Sequence, residues 1–262
     1  MLEQILANAP LYLLIAVRAL AMIEIAPLIS SDAIPQVAKV ALAGFAAFAV
    51  FPQAATISLP AEVFNLGYLV LVIGEAFIGI IIGFYLTIIY SAFSSAGQFF
   101  SLQMGFGASE TYDPLAQIEN PLMGQYLNLI GMLVFLSVDG FQQLFLGGFQ
   151  RSVQAFNVLS LVNARNGILL TLLKGLSQLF IDALVMSMPI LGTLFLVSLA
   201  MGLLSKAAPQ MNLLTEGFPI SITVAFFLIM ATMPFLVEAF AYVINNGFNL
   251  LEQLIISIGK PL

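Results

Sequence analysis

Arg18 and Glu24 interrupt an apolar run over residues 10–29 and are two of the few charged groups set inside such runs. Six residues apart, they do not share a helix face, so a direct pair within one helix is disfavoured and each implies a partner elsewhere. Two readings stand side by side. One is a polar pathway or subunit contact; the other is a pair of structural charges that snorkel or pair between helices. Glu238, four residues after Pro234 in a later apolar run, carries the same two readings. Glu75, Gly79 and Gly83 recur at four-residue intervals and share one stripe of a helix. Gly79 and Gly83 form a GxxxG pair, which lets another helix approach closely, and the carboxylate on that face would sit in the contact. Taken alone, the pattern fits plain helix packing.

Catalytic chemistry finds little in this chain. There is no histidine and no cysteine. That removes the commonest general base, the usual transition-metal ligand, thiol nucleophiles and disulfides. The serines have no histidine to activate them and no Ser-x-x-Lys pattern. Gly105-Phe106-Gly107 is not a dinucleotide fingerprint and opens no βαβ unit. Asp139 and Asp182 invite comparison with an intramembrane aspartyl dyad, but neither has a supporting local motif. A carboxylate-only Mg²⁺ or Ca²⁺ site stays open in principle, although no clustered carboxylate motif occurs. The expectation is a protein that is not an enzyme and uses no cofactor or metal. Thirteen acidic and seven scattered basic residues give a net charge of −6, which argues against nucleic acid.

The elements that must hold these groups are set by hydropathy. Apolar residues make up 61% of the 262 and charged residues 8%, against about 45–50% and about 25% in soluble domains. Water cannot cover so apolar a surface, whereas a bilayer can. The expectation is an all-α membrane protein with five to seven hydrophobic helices, residues 1–262 forming one integral membrane domain. One charge in a membrane helix costs about 2.5–3.5 kcal/mol, and each Leu or Ile returns about 0.3–0.6. Each apolar run tolerates one such charge, which then faces protein or water and not lipid. Arg18 is the first basic residue and already lies in an apolar run, so a charged leader is missing and the first hydrophobic segment is expected to direct insertion.

The candidate spans are 10–29, 37–51, 64–93, 126–146 with Asp139 inside, 168–204 and 218–244, followed by an amphipathic tail at 249–258. The run 168–204 is about 55 Å long as a helix, against a hydrocarbon core of ~30 Å. Pro189 and Gly192 in its middle are expected to mark a bend or hairpin, which would put Arg165 and Lys206 on the same, cytoplasmic, side. The interval 94–124 contains Gly97, Gly105, Gly107, Pro114 and Pro121, which punctuate helices. Phe99, Phe100, Met104, Phe106, Tyr112 and Leu115 are interleaved there, which a purely solvated loop would not need. No fixed-period repeat is evident. On these residues alone a small-solute secondary transporter competes, since Pro-broken helices and intramembrane charges suit one. The lack of an inverted repeat and of a convergent polar cluster counts against it.

Two stretches carry a resemblance. They are Gly74-Glu75…Gly79…Gly83 and Ala208-Pro209-Gln210-Met211-Asn212-Leu213-Leu214-Thr215-Glu216-Gly217-Phe218-Pro219-Ile220. With Arg18 and Ala26-Pro27, they make the chain similar to the FliR family of flagellar export-gate proteins, related to the SctT proteins of virulence type III secretion. The resemblance runs over nearly the whole chain and lies nearer the flagellar branch. It implies helices paired into hairpins within a hetero-oligomeric ring with FliP- and FliQ-type subunits. An FlhB-type protein attaches to that ring, and an FlhA-type protein lies beside it. The assembly would sit in the bacterial inner membrane, in the flagellar basal body, and conduct unfolded flagellar proteins without being an enzyme. Helix-packing or subunit-interface roles then fall on Arg18, Glu24, Glu75, Gly79, Gly83, Pro209, Gln210, Asn212 and Pro219. The family's plug loop corresponds to 104–122, with Met104, Phe106, Tyr112, Asp113, Pro114 and Leu115 expected at the constriction. Aromatic and Met side chains on a Gly/Pro-bent backbone suit a seal that must open without recognising a sequence.

Overall fold

Runs of Leu, Ile, Val, Phe and Ala in a bilayer can satisfy their backbone groups only within helices or closed barrels, and these runs lack the strict alternation of a barrel strand. A computed structural model describes residues 8–54, 66–105, 122–155, 158, 165–208 and 216–259. It bears out the all-α membrane class, with no strand among the described residues. The elements are α1 Ala9–Ile25, α2 Gln36–Ala54, α3 Leu66–Met104, α4 Leu122–Ser137, α5 Gly140–Ala155, α6 Arg165–Ala207 and α7 Phe218–Gly259. Four of these (α2, α3, α6 and α7) are long and apolar enough to cross a membrane, with a fifth span if α4 and α5 count as one broken crossing.

Four boundaries differ from the hydropathy reading. The run 168–204 contains no hairpin: α6 is one helix of 43 residues that passes through Pro189. A reversal there would strand unpaired backbone groups in an apolar run, whereas a helix tolerates one proline. Arg165 and Lys206 accordingly lie at opposite ends of α6. In the same way, the tail 249–258 is no separate element but the end of the 42-residue α7. The run 126–146, by contrast, is not continuous. Asp139 takes a left-handed backbone (φ 54°) between α4 and α5, and Gln143–Gln150 winds as a π-helix. Finally, α3 continues eleven residues past its expected end at 93, so Gly97 lies within a helix and breaks nothing.

The chain forms two compact units. The first comprises 1–89, 139–176 and 244–262; the second comprises 90–138 and 177–243. In the first, α1 and α2 form a helical hairpin. Tyr12 on α1 donates to the Gly44 carbonyl at 2.9 Å and meets Phe51 edge-on, ring centroids 6.2 Å apart. The α5 helix is tied to the end of α2 by Gln150 and Gln154, whose amides both donate to Gln53 Oε1, and to α7 by an Arg151–Glu252 ion pair.

In the second unit the ends of α3 and α4 pack as another hairpin. A Cβ on Gly97 would fall 2.5 Å from the Met123 carbonyl oxygen and 2.6 Å from Gly124 Cα, so the two backbones touch. Tyr90 donates to the Asn128 carbonyl at 2.8 Å. Phe93 fills the space left by Gly131 and stacks on Phe240 of α7 at 4.3 Å. Gly97→Ala should therefore destabilise the chain by about 1–3 kcal/mol, the usual range for overpacking. Gly192→Ala, with nothing within 4 Å of the added carbon, should be neutral or stabilising by up to ~1 kcal/mol. The thermal midpoints of the two variants in mild detergent check the contrast.

Candidate functional site

The polar groups of the first unit converge on α1. Arg18 is only 3% exposed, and its guanidinium is answered from two distant parts of the chain. Nε donates to Glu75 Oε2 on α3 at 2.5 Å, and Nη1 donates to Ser152 Oγ on α5 at 3.2 Å. The Ser152 hydroxyl in turn donates to the Phe149 carbonyl at 2.7 Å. Charged hydrogen bonds of this kind are roughly twice as strong as neutral ones.

Glycines make that contact possible. A Cβ on Gly79 would lie 2.3 Å from the Arg18 carbonyl oxygen, and one on Gly83 would lie 2.9 Å from the Met22 carbonyl oxygen. The helix received by the GxxxG pair is thus α1 of the same chain, and Glu75 sits in that contact. One turn further along, the Thr87 hydroxyl lies 2.9 Å from the Ile25 carbonyl, one of the carbonyls left over at the end of α1.

Glu24 has a separate partner. Lys39 near the start of α2 is 2% exposed and places Nζ 3.3 Å from Glu24 Oε2 and 3.0 Å from the Ser30 carbonyl. It holds the turn between α1 and α2, where Leu28 adopts a left-handed backbone (φ 73°). Arg18 and Glu24 are therefore not a pair, as their spacing indicated. Sequence reasoning missed both Lys39 and Ser152. A lone lysine at the head of an apolar helix was a usable signal, whereas Ser152, one serine in a polar stretch, offered none.

The remaining candidates are spread out. Met104 is the last residue of α3 and is fully buried. Gly105 ends the helix with a left-handed backbone (φ 92°) that a side chain would strain, and a Cβ there would meet the Phe218 ring at 2.3 Å. Phe106, Tyr112, Asp113, Pro114 and Leu115 lie outside the described residues, as do Pro209, Gln210 and Asn212. Pro219 is exposed in the first turn of α7, where its missing N–H costs no helical bond. Asp139 and Asp182 fall in different units, and Asp182 accepts from Gln178 on its own helix at 2.8 Å. No group of three acidic side chains able to hold a metal occurs among the described residues.

What this arrangement does is brace helices. Its other surfaces are apolar and open: Leu66, Leu69, Ile73, Phe77, Ile80 and Phe84 form one exposed stripe along α3. Fold and site together define an integral α-helical membrane protein.

Comparison with known proteins gives the particular family. The family described as bacterial export proteins, family 1, matches residues 9–247. The chain is 31% identical to the flagellar biosynthetic protein FliR of Escherichia coli (strain K12), covering 97% of this chain and 95% of that one. It is 30% identical to the FliR of Bacillus subtilis (strain 168), covering 92% and 91%. The chain belongs to this export family and is a membrane-embedded component of the flagellar export apparatus.

Removing the Arg18 charge alone would leave Glu75 buried without its cation. Arg18→Met should cost about 3–5 kcal/mol, and adding Glu75→Leu should recover most of that loss. A double-mutant cycle on the fraction surviving heat in detergent tests the coupling; simple additivity would show that the pair is not the clamp.

Proposed function

We propose that the chain works as a FliR-type subunit of the flagellar type III export gate in the bacterial inner membrane. With FliP- and FliQ-type subunits it lines the conduit for unfolded flagellar proteins, next to FlhB- and FlhA-type components of the basal body. It acts without catalysis or cofactor. Segment 104–122 helps to close the conduit, starting from a fixed point: Met104 is buried and Gly105 turns the chain out of α3.

The observation that carries this reading is the mismatch between apolar length and bilayer thickness. Exposed large apolar side chains run along α6 from Leu169 to Leu204, about 52 Å of helix at ~1.5 Å per residue. A hydrocarbon core of ~30 Å leaves about 10 Å of its rise uncovered even at a tilt near the ~40° upper limit for membrane helices. Other protein must cover the excess, which supports a subunit within a larger membrane assembly.

Two measurements test the reading. Purified in mild detergent from cells that make flagella, the tagged chain should bring down FliP- and FliQ-type subunits in fixed ratio. A lone chain that moves a small solute in liposomes would instead support a transporter. Deleting 106–121 in the assembled complex should raise ion leak across the membrane, and an unchanged leak would remove the closing role.

A further inference from the structure

Glu238 has no hydrogen bond or ion pair among the described residues. It stands on the exposed face of α7, within the second unit. At about 100° per residue, Phe227, Ala231, Pro234 and Tyr242 fall within about 40° of it around the helix axis, and Phe235 within about 60°. All five are exposed, Phe227, Phe235 and Tyr242 at 70%, 72% and 69%. The opposite side of α7 is already packed: Ile229, Leu236 and Phe240 are buried, and Phe240 stacks on Phe93.

Neither lipid nor water suits this face. Hydrocarbon would leave an uncompensated carboxylate within an apolar helix. Water would solvate the carboxylate but lie against three large aromatic side chains. Elsewhere in the described helices Glu24 and Glu75 each have a cation, and Asp182 has an amide. Glu238 stands apart from that pattern: the described part of the chain supplies it no donor. The chain's net charge of −6 makes a basic partner the complementary one.

We propose that the Glu238 face of α7 docks an apolar helix of another export-apparatus subunit that carries a lysine or arginine opposite the carboxylate. This rests on the export-subunit reading above and adds to it the chemistry of one partner.

The test uses the full chain in cells that make the complete apparatus. A photoreactive benzoylphenylalanine replaces Phe227, Tyr242 or, separately, Glu238. The first two probes leave the carboxylate intact. All three should label the same helix of one other subunit, within one turn of a Lys or Arg. Glu238→Lys should lower recovery of that subunit with the tagged chain about tenfold or more, and Glu238→Gln about threefold. Changing the partner's basic residue to Glu should restore recovery with Glu238→Lys. Labelling of lipid alone, of a second copy of this chain or of exported polypeptide would overturn the proposal, as would full recovery with Glu238→Lys. If the unaltered chain recovers no apparatus subunit, the export-subunit reading itself fails. If subunits are recovered but position 238 labels only lipid, this inference alone fails.

Discussion

One arginine sets the geometry of the first unit. Arg18 is nearly sealed from solvent, yet its guanidinium is hydrogen-bonded by a carboxylate on α3 and a hydroxyl on α5. A buried charge is tolerable only if its partners stay within hydrogen-bond reach. That constraint fixes where α1 can lie on α3, and Gly79 and Gly83 are the consequence. Any side chain at Gly79 would collide with the backbone of α1 beside the very arginine being held. The charge pair and the glycine pair are therefore one device, in which close backbone approach brings a short carboxylate to a guanidinium.

The second unit reaches a similar closeness without charge. Gly97 and Gly124 bring two backbones together, Gly131 admits the Phe93 ring, and that ring stacks on Phe240. Within a membrane the hydrophobic effect does little to pull helices together, so small residues and shape carry the association. Packing of this sort covers the inner faces of the hairpins and leaves the outer faces bare. Long helices with bare apolar faces suit a membrane-embedded component of the export apparatus.

Much of this was legible in the sequence. Arg18 and Glu24 were six residues apart and so could not pair, and the stripe of Glu75, Gly79 and Gly83 pointed to a close helix contact. Sequence spacing could not say which helix came into that contact, nor that Ser152 would join Arg18 from more than a hundred residues away. It also misjudged continuity. Pro189 and Gly97 carry the local signal of a break, yet helices run on through both, while the actual break falls at Asp139. Proline and glycine propensities are calibrated in water, where an interrupted helix can bond to solvent. In an apolar setting the unpaired backbone groups cost more than the proline does.

Composition and hydropathy alone determined that the chain is helical and belongs in a membrane, because a bilayer admits only helices or closed barrels and these runs lack the alternation of barrel strands. The absence of histidine and cysteine, likewise read directly, narrowed the chemistry available to it. Only the tertiary structure decided which charge answers which. Partner choice depends on three-dimensional approach between segments far apart in sequence, and no local pattern encodes that distance. The same holds for Glu238: its place in an apolar run is visible in the sequence, but only the structure shows it exposed and without a partner among the described residues while Glu24 and Glu75 are paired.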